Sequence, residues 1–290
     1  MDWIRRWIEA SPYGTALGVR VEALEPETVR LALPFQEENS NGDKALHGGV
    51  AASLIDIGGQ AVARAALGEE SGPWHTAAVQ VAYLSAALGE GVRAEARALR
   101  SGKELAYCEV SVESEQGKAI ARGLVTVRGR FAAEREELPT AVGDDGAADR
   151  GPMGPFIGRI PFHRKLGFSV EHMTGGRSRI VMPWCDSNAD AAGGVHEGAL
   201  LALLDTTGAM AAWARTGPGR FKASTPGVQA RILAPPGRSD LVAYGHVRHQ
   251  DREHLFSEVE VAERPGDRVV AHGSVNYRIV QPEHRNEAER

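Results

Sequence analysis

The chain carries one pattern twice, and the two copies stand 149 residues apart. His47-Gly48-Gly49-Val50 leads to Asp56, nine residues after the histidine, and His196-Glu197-Gly198-Ala199 leads to Asp205 at the same spacing. The offset also pairs Pro12 with Pro161, Leu17-Gly18 with Leu166-Gly167, Val79-Gln80 with Val228-Gln229 and Glu109-Val110 with Glu258-Val259. From Ala121 and Ala271 onward it becomes 150, as one residue inserted around Arg264-Pro265-Gly266 would make it. A register held over so long a stretch marks a duplicated unit. It predicts two like domains, 1–130 and 156–281. Residues 131–155, rich in Ala, Glu, Asp, Gly and Pro, read as a linker, and 282–290 as a solvated tail.

Each copy reads as α+β. In copy one, Trp3 with Trp7 and Ile4 with Ile8 share a helical face. Alternating runs at 17–23 and 29–33, separated by Glu25-Pro26-Glu27, predict a hairpin. The spacing of Val50, Leu54, Ile57 and Ala61 predicts a helix over 48–67, with small residues nearly all round it, as a helix buried on most sides requires. Strand-like runs follow at 75–86, 91–99, 104–113 and 118–128. Copy two repeats the order, with a strand at 179–182, a helix over 197–216 and four β-runs ending at 272–280. Each copy is therefore expected to pack one long central helix against an antiparallel sheet of five or six strands.

Composition excludes several classes. Apolar residues at 42% and charged residues at 24% suit a chain that buries a core. With 38 acidic against 33 basic residues, the net charge of −5 argues against a nucleic-acid partner. Two cysteines, Cys108 and Cys185, make no disulfide framework and no CxxC, so a reducing, cytoplasmic setting is expected. No run approaches 18 apolar residues, so no membrane span is expected. His246, His249 and His254 lack metal-ligand spacing with cysteines, and no GxSxG, GxGxxG or Walker string occurs. No metal or cofactor is expected.

Two features point to chemistry. At a helix start the first N–H groups lack intrahelical partners, and Gly48 and Gly49 after His47 would let a ligand approach them. This suits an oxyanion hole, and equally an ordinary helix start whose glycines are steric. Asp56 lies among Leu54, Ile55 and Ile57, and Asp205 beside Leu203, Leu204 and Thr206. Burial would raise a carboxyl pKa toward a useful base, although a structural Asp bonded to nearby donors fits as well. Recurrence in both copies favours function. Thr76 and Thr225, each 20 residues after its Asp, are candidate supporting hydroxyls, with β-propensity as the bland alternative. Asn41 lies in the loop before His47.

The string HGGVAASLIDIGGQAVA, after an Asn-containing loop and before a long β-run, resembles the hotdog-fold acyl-CoA thioesterases, more narrowly the phenylacetate-pathway (PaaI-like) family. The resemblance covers nearly the whole chain, twice. It implies tandem hotdog domains packed as an intrachain pseudo-dimer, hydrolysing acyl-CoA without metal or organic cofactor. It also implies roles. Asp56 and Asp205 would be the catalytic carboxylates, as base or nucleophile, and the N–H of Gly48 or Gly49 would polarise the thioester carbonyl. Asn41 would help place water, and Thr76 would support. In single-copy relatives the site forms between subunits, so Asp56 would face His196-Glu197-Gly198, and Asp205 would face His47-Gly48-Gly49. Copy two departs from the pattern: Glu197 replaces the first Gly and Asp190 aligns with Asn41, so the two sites are expected to be unequal. Two other readings remain, a non-catalytic acyl-CoA-binding hotdog (sensor or scaffold) and a hotdog hydratase or dehydratase. A homodimer of double-hotdog chains is a further expectation.

Overall fold

The computed structural model describes residues 1–131, 137–219 and 221–280; the expected tail lies outside them. Helix α1 (Asp2–Ala10) buries Ile4 and Ile8. It is followed at once by α2 (Pro12–Leu17), where the sequence reading places a strand from Leu17. The reason is local: Ser11 caps the Gly14 N–H, Pro12 occupies the first turn, and Gly18 ends the helix at φ +84°. The hairpin is β1 (Arg20–Leu24) with β2 (Thr28–Leu33).

Helix α3 (Gly48–Leu67) has the expected bounds and is buried from Gly49 to Arg64. Its length and mean hydropathy alone would suit a membrane span, which one such buried helix does not show. In the fold it is the core helix of copy one. Strands β3 (His75–Tyr83), β4 (Val92–Ser101), β5 (Leu105–Ser114) and β6 (Ala119–Arg128) wrap it. Copy two follows with α4 (Gly154–Ile157), α5 (Pro161–Lys165), β7 (Ser169–Thr174), β8 (Arg177–Met182) and α6 (Glu197–Thr216). It closes with β9 (Lys222–Ile232), β10 (Asp240–Gln250), β11 (His254–Arg264) and β12 (Arg268–Val280).

All twelve strands form one antiparallel sheet in the order β1-β2-β4-β5-β6-β3-β9-β12-β11-β10-β8-β7. The copies meet where β3 pairs with β9. Gln80 pairs there with Gln229, its own counterpart under the 149-residue offset, so the pseudo-twofold axis passes between them. The inserted residue lies in the β11–β12 connection: Val112 pairs with Ala121 in copy one, whereas Val261 pairs with Ala271 in copy two, one residue farther along.

The segment read as a linker is pinned over residues 140–149. Thr140 bridges to Arg268 on β12, and the Val142 N–H donates to Glu260 on β11. Asp144 pairs with Arg179 on β8, Asp145 with Arg177 at 2.8 Å, and the Met173 N–H on β7 donates to the Asp149 carbonyl. The segment crosses the sheet of copy two as a strap.

Candidate active site

The two long helices touch near their starts, and small residues allow it. A Cβ on Gly49 would come within 2.7 Å of Ala202 Cβ, and one on Gly198 within 3.0 Å of Ser53 Cβ. These are symmetry-related contacts. They set Asp56 on α3 toward the start of α6, and Asp205 on α6 toward the start of α3. Each helix is capped by its histidine: His47 Nδ1 accepts the Gly49 N–H at 3.0 Å, and His196 Nδ1 accepts the Gly198 N–H at 2.9 Å. The second N–H of each helix is thereby taken. The N–H groups of Gly48 and Glu197 have no hydrogen-bond partner among the described residues.

At the first pole Asp205 is 4% exposed, and its Oδ1 is buried with no hydrogen-bond partner. A Cβ on Gly48 would lie 3.0 Å from Asp205 Oδ2 and 3.4 Å from Tyr83 Cζ, filling the space beside the carboxylate. The Tyr83 hydroxyl donates to the Gly48 carbonyl at 3.1 Å. Burial raises the Asp205 pKa to about 7, opposed by the Tyr83 hydroxyl beside it. Thr225, expected to support Asp205, makes no hydrogen bond to it. Both strands shift register here, but β3 keeps Thr76 paired with Val127 and skips only Ala77, whereas β9 skips both Thr225 and Pro226 between the pairs Gly227–Asn276 and Ser224–Arg278.

The second pole is closed by the chain itself. Asp56 is fully buried and accepts from Thr76 Oγ1 at 2.7 Å and from Gln60 Nε2 at 3.3 Å. Glu197 turns inward beside it. Its Oε2 accepts from Gln60 Nε2 at 2.6 Å and from the Thr76 N–H at 3.1 Å, and its Oε1 meets His75 Nδ1 at 2.7 Å. The other ring nitrogen of His75 donates to the Ile232 carbonyl. Arg64 donates to Gln60 Oε1 and lies 3.9 Å from the ring centre of Trp7 and 4.5 Å from that of Trp74. Burial, then the Glu197 carboxylate, pushes the Asp56 pKa up to about 8.

Asn41 is not at either pole. It is exposed, and its Oδ1 accepts the Asp43 N–H within its own loop. Asp190 behaves alike, accepting from the N–H groups of Ala192 and Gly194. Both are loop-forming residues, the usual work of Asn and Asp before a helix. The sequence reading missed Gln60, Arg64, His75, Tyr83 and His163. Gln60 and Arg64 follow Asp56 at four-residue steps on one helix face, a signal that was available. Tyr83 reaches Asp205 from β3, and His163 reaches its neighbour Thr206 from α5, which the sequence places far from them.

Residues 4–128 match a family described as a domain of unknown function, DUF4442. Acyl-coenzyme A thioesterase 13 of Homo sapiens is 32% identical over 125 residues, 41% of this chain and 86% of that protein. A Halobacterium salinarum protein designated an esterase is 33% identical over 127 residues, 42% of this chain and 83% of its own. Among solved structures, the tesB protein of Mycobacterium avium subspecies paratuberculosis aligns with TM-score 0.66 at 12% identity, over 93% of this chain and 100% of that one. Acyl-CoA thioesterase II TesB2 of Mycobacterium marinum aligns with TM-score 0.64 at 11% identity, over 95% and 98%. At those identities the structures speak for the fold, two hotdog units along almost the whole chain. Sequence and fold together place the chain in the hotdog-fold thioesterase superfamily, as a tandem of two hotdog units.

Proposed function

We propose that this chain hydrolyses acyl-CoA thioesters to free acid and CoA at the Asp205 pole, and that within the superfamily it sides with the phenylacetate-pathway group. The observation that carries the reading is Asp205 itself: a buried carboxylate with one oxygen unpartnered, opposite the unpaired Gly48 N–H. A thioester carbonyl oxygen would take that N–H, which strengthens its hold as the oxygen becomes negative. Asp205, with a pKa near neutrality, takes a proton from water as the water oxygen bonds to the acyl carbon. The tetrahedral adduct then expels the thiolate by C–S cleavage, and the proton on Asp205 passes to the sulfur. The Asp56 pole has the same parts, but Glu197 occupies the space against Asp56 and takes the donors there. That pole suits the non-catalytic reading, and one working site per chain follows.

The test is thiol release from short, medium, long and aromatic acyl-CoAs by wild type, Asp205→Asn and Asp56→Asn. Turnover that falls by about 10²- to 10⁴-fold in Asp205→Asn and persists in Asp56→Asn supports the reading. The reverse pattern overturns the choice of pole. A folded wild type that binds acyl-CoA and releases no thiol from any of them leaves acyl-CoA binding without hydrolysis.

A further inference from the structure

The start of α3 is held by two histidines whose protons can be placed from their partners. His47 Nδ1 accepts the Gly49 N–H, so it carries no proton. The proton of the neutral ring is then on Nε2, which lies 2.9 Å from His163 Nε2. His163 Nδ1 lies 3.1 Å from the Ile157 carbonyl, which only accepts. His163 therefore carries its proton on Nδ1 and offers Nε2 as acceptor. The Thr206 hydroxyl lies 3.3 Å from that same Nε2 and shares its single lone pair with His47. Burial lowers both ring pKa values, that of His163 to about 4, which keeps the pair neutral.

Thr206 follows Asp205 in α6. One buried ring on α5 thus touches the cap of α3 and the neighbour of the carboxylate that α3 faces. The other pole has no such ring. Gly14 stands at the position 149 residues before His163, and its capping His196 packs on Tyr13 instead, with ring centres 5.1 Å apart. Among the described residues, a ring bonded to the capping histidine is found at the pole whose carboxylate is open.

We propose that His163 is a positioning residue of the Asp205 pole: by accepting from His47 Nε2 it holds His47 in the one tautomer that caps Gly49, and so keeps the Gly48 N–H aimed across Asp205. Without that acceptor His47 gains the other tautomer, whose Nδ1–H opposes the Gly49 N–H and turns the helix start. The catalytic part of this proposal rests on the hydrolytic reading above; the tautomer does not.

The experiment compares His163→Phe, which keeps a ring but no acceptor, with His163→Gln, whose amide oxygen can accept in place of Nε2. We expect His163→Phe to lower kcat about 10- to 100-fold with KM within about twofold, and His163→Gln to recover kcat to within about threefold of wild type. Imidazole ¹⁵N NMR is the second readout. Wild-type His47 is expected with its proton on Nε2, and His163→Phe with a mixture of tautomers. Unchanged kcat in His163→Phe, equal losses in both variants, or a wild-type His47 protonated on Nδ1 would overturn the proposal. The last outcome is readable even where a variant fails to fold. Asp205→Asn is assayed alongside: if it turns over like wild type, the hydrolytic reading has failed, and the NMR comparison still decides what His163 does.

Discussion

Asp56 and Glu197 share one amide: Gln60 Nε2 lies 2.6 Å from Glu197 Oε2 and 3.3 Å from Asp56 Oδ2. Two buried carboxyl groups from different copies are thus joined through a side chain on α3. Replacing Glu197 by Ala would leave His75 Nδ1 and the Thr76 N–H without their partner, and Gln60 Nε2 with Asp56 alone. Breaking such a buried set costs about 3–5 kcal/mol. Glu197→Gln, which keeps the shape and one acceptor, should cost less than half of that. Urea titration of the two variants measures the difference.

The two aspartates also set how stability varies with pH. Both carboxyls have folded pKa values, about 7 for Asp205 and about 8 for Asp56, above the unfolded value of about 3.9. The folded state therefore holds protons that the unfolded state releases, and this contribution is lost as pH rises from about 4 through those values. Asp205→Asn removes its share. Relative to wild type, the variant should gain about 3 kcal/mol between pH 5 and pH 8, read from denaturation curves at both. The same group predicts that wild-type kcat/KM climbs with pH and levels off above about 7, with Asp56→Asn leaving that limb in place.

Neighbouring glycines at the start of α3 should fail differently. Gly48→Ala sets a methyl 3.0 Å from Asp205 Oδ2, in the space the acyl carbonyl would need. It should lower kcat/KM more than about tenfold with little change in melting temperature. Gly49→Ala drives a methyl to 2.9 Å from Ala202 Cα, against backbone. Overpacking of this kind costs about 1–3 kcal/mol, so its melting temperature should fall clearly. Calorimetry beside the thiol assay separates the two.

The strap depends on Arg179. Its side chain, 8% exposed, meets Asp144 and Glu171 and donates to the carbonyls of Gly146 and Ala147. Arg179→Ala should release the strap, and a broad-specificity protease should then cut between residues 137 and 149 well before it cuts wild type. Equal cutting rates would show that the strap is held by its other bonds.

The helices were legible because their ends carry explicit signals. Each begins after a capping histidine with Gly48-Gly49 or Gly198 close behind, and each stops at a glycine of positive φ, Gly68 or Gly217. The offset made one copy a check on the other. Helix α2 escaped because Leu17 is apolar in either reading, and only Ser11-Pro12 and Gly18 tell them apart. Asn41 was given a role by the resemblance, whereas its side chain closes its own turn. The replacement at Glu197 was visible in the sequence. Its inward turn was not, because the groups that receive it, His75 and Gln60, belong to the other copy and meet it only where the copies pack, at the β3–β9 seam and between α3 and α6.

That seam has an evolutionary consequence. Each pole draws its carboxylate from one copy and its helix start from the other, within a single chain. In an assembly of two identical subunits, a glutamate at the helix start would appear at both poles and shut both. Here the glutamate at position 197, where copy one has Gly48, lies only at the pole of Asp56, while Gly48 lies opposite Asp205. Two copies fused in one chain can therefore differ at matched positions, so that Glu197 fastens one pole internally while the other keeps its glycine start.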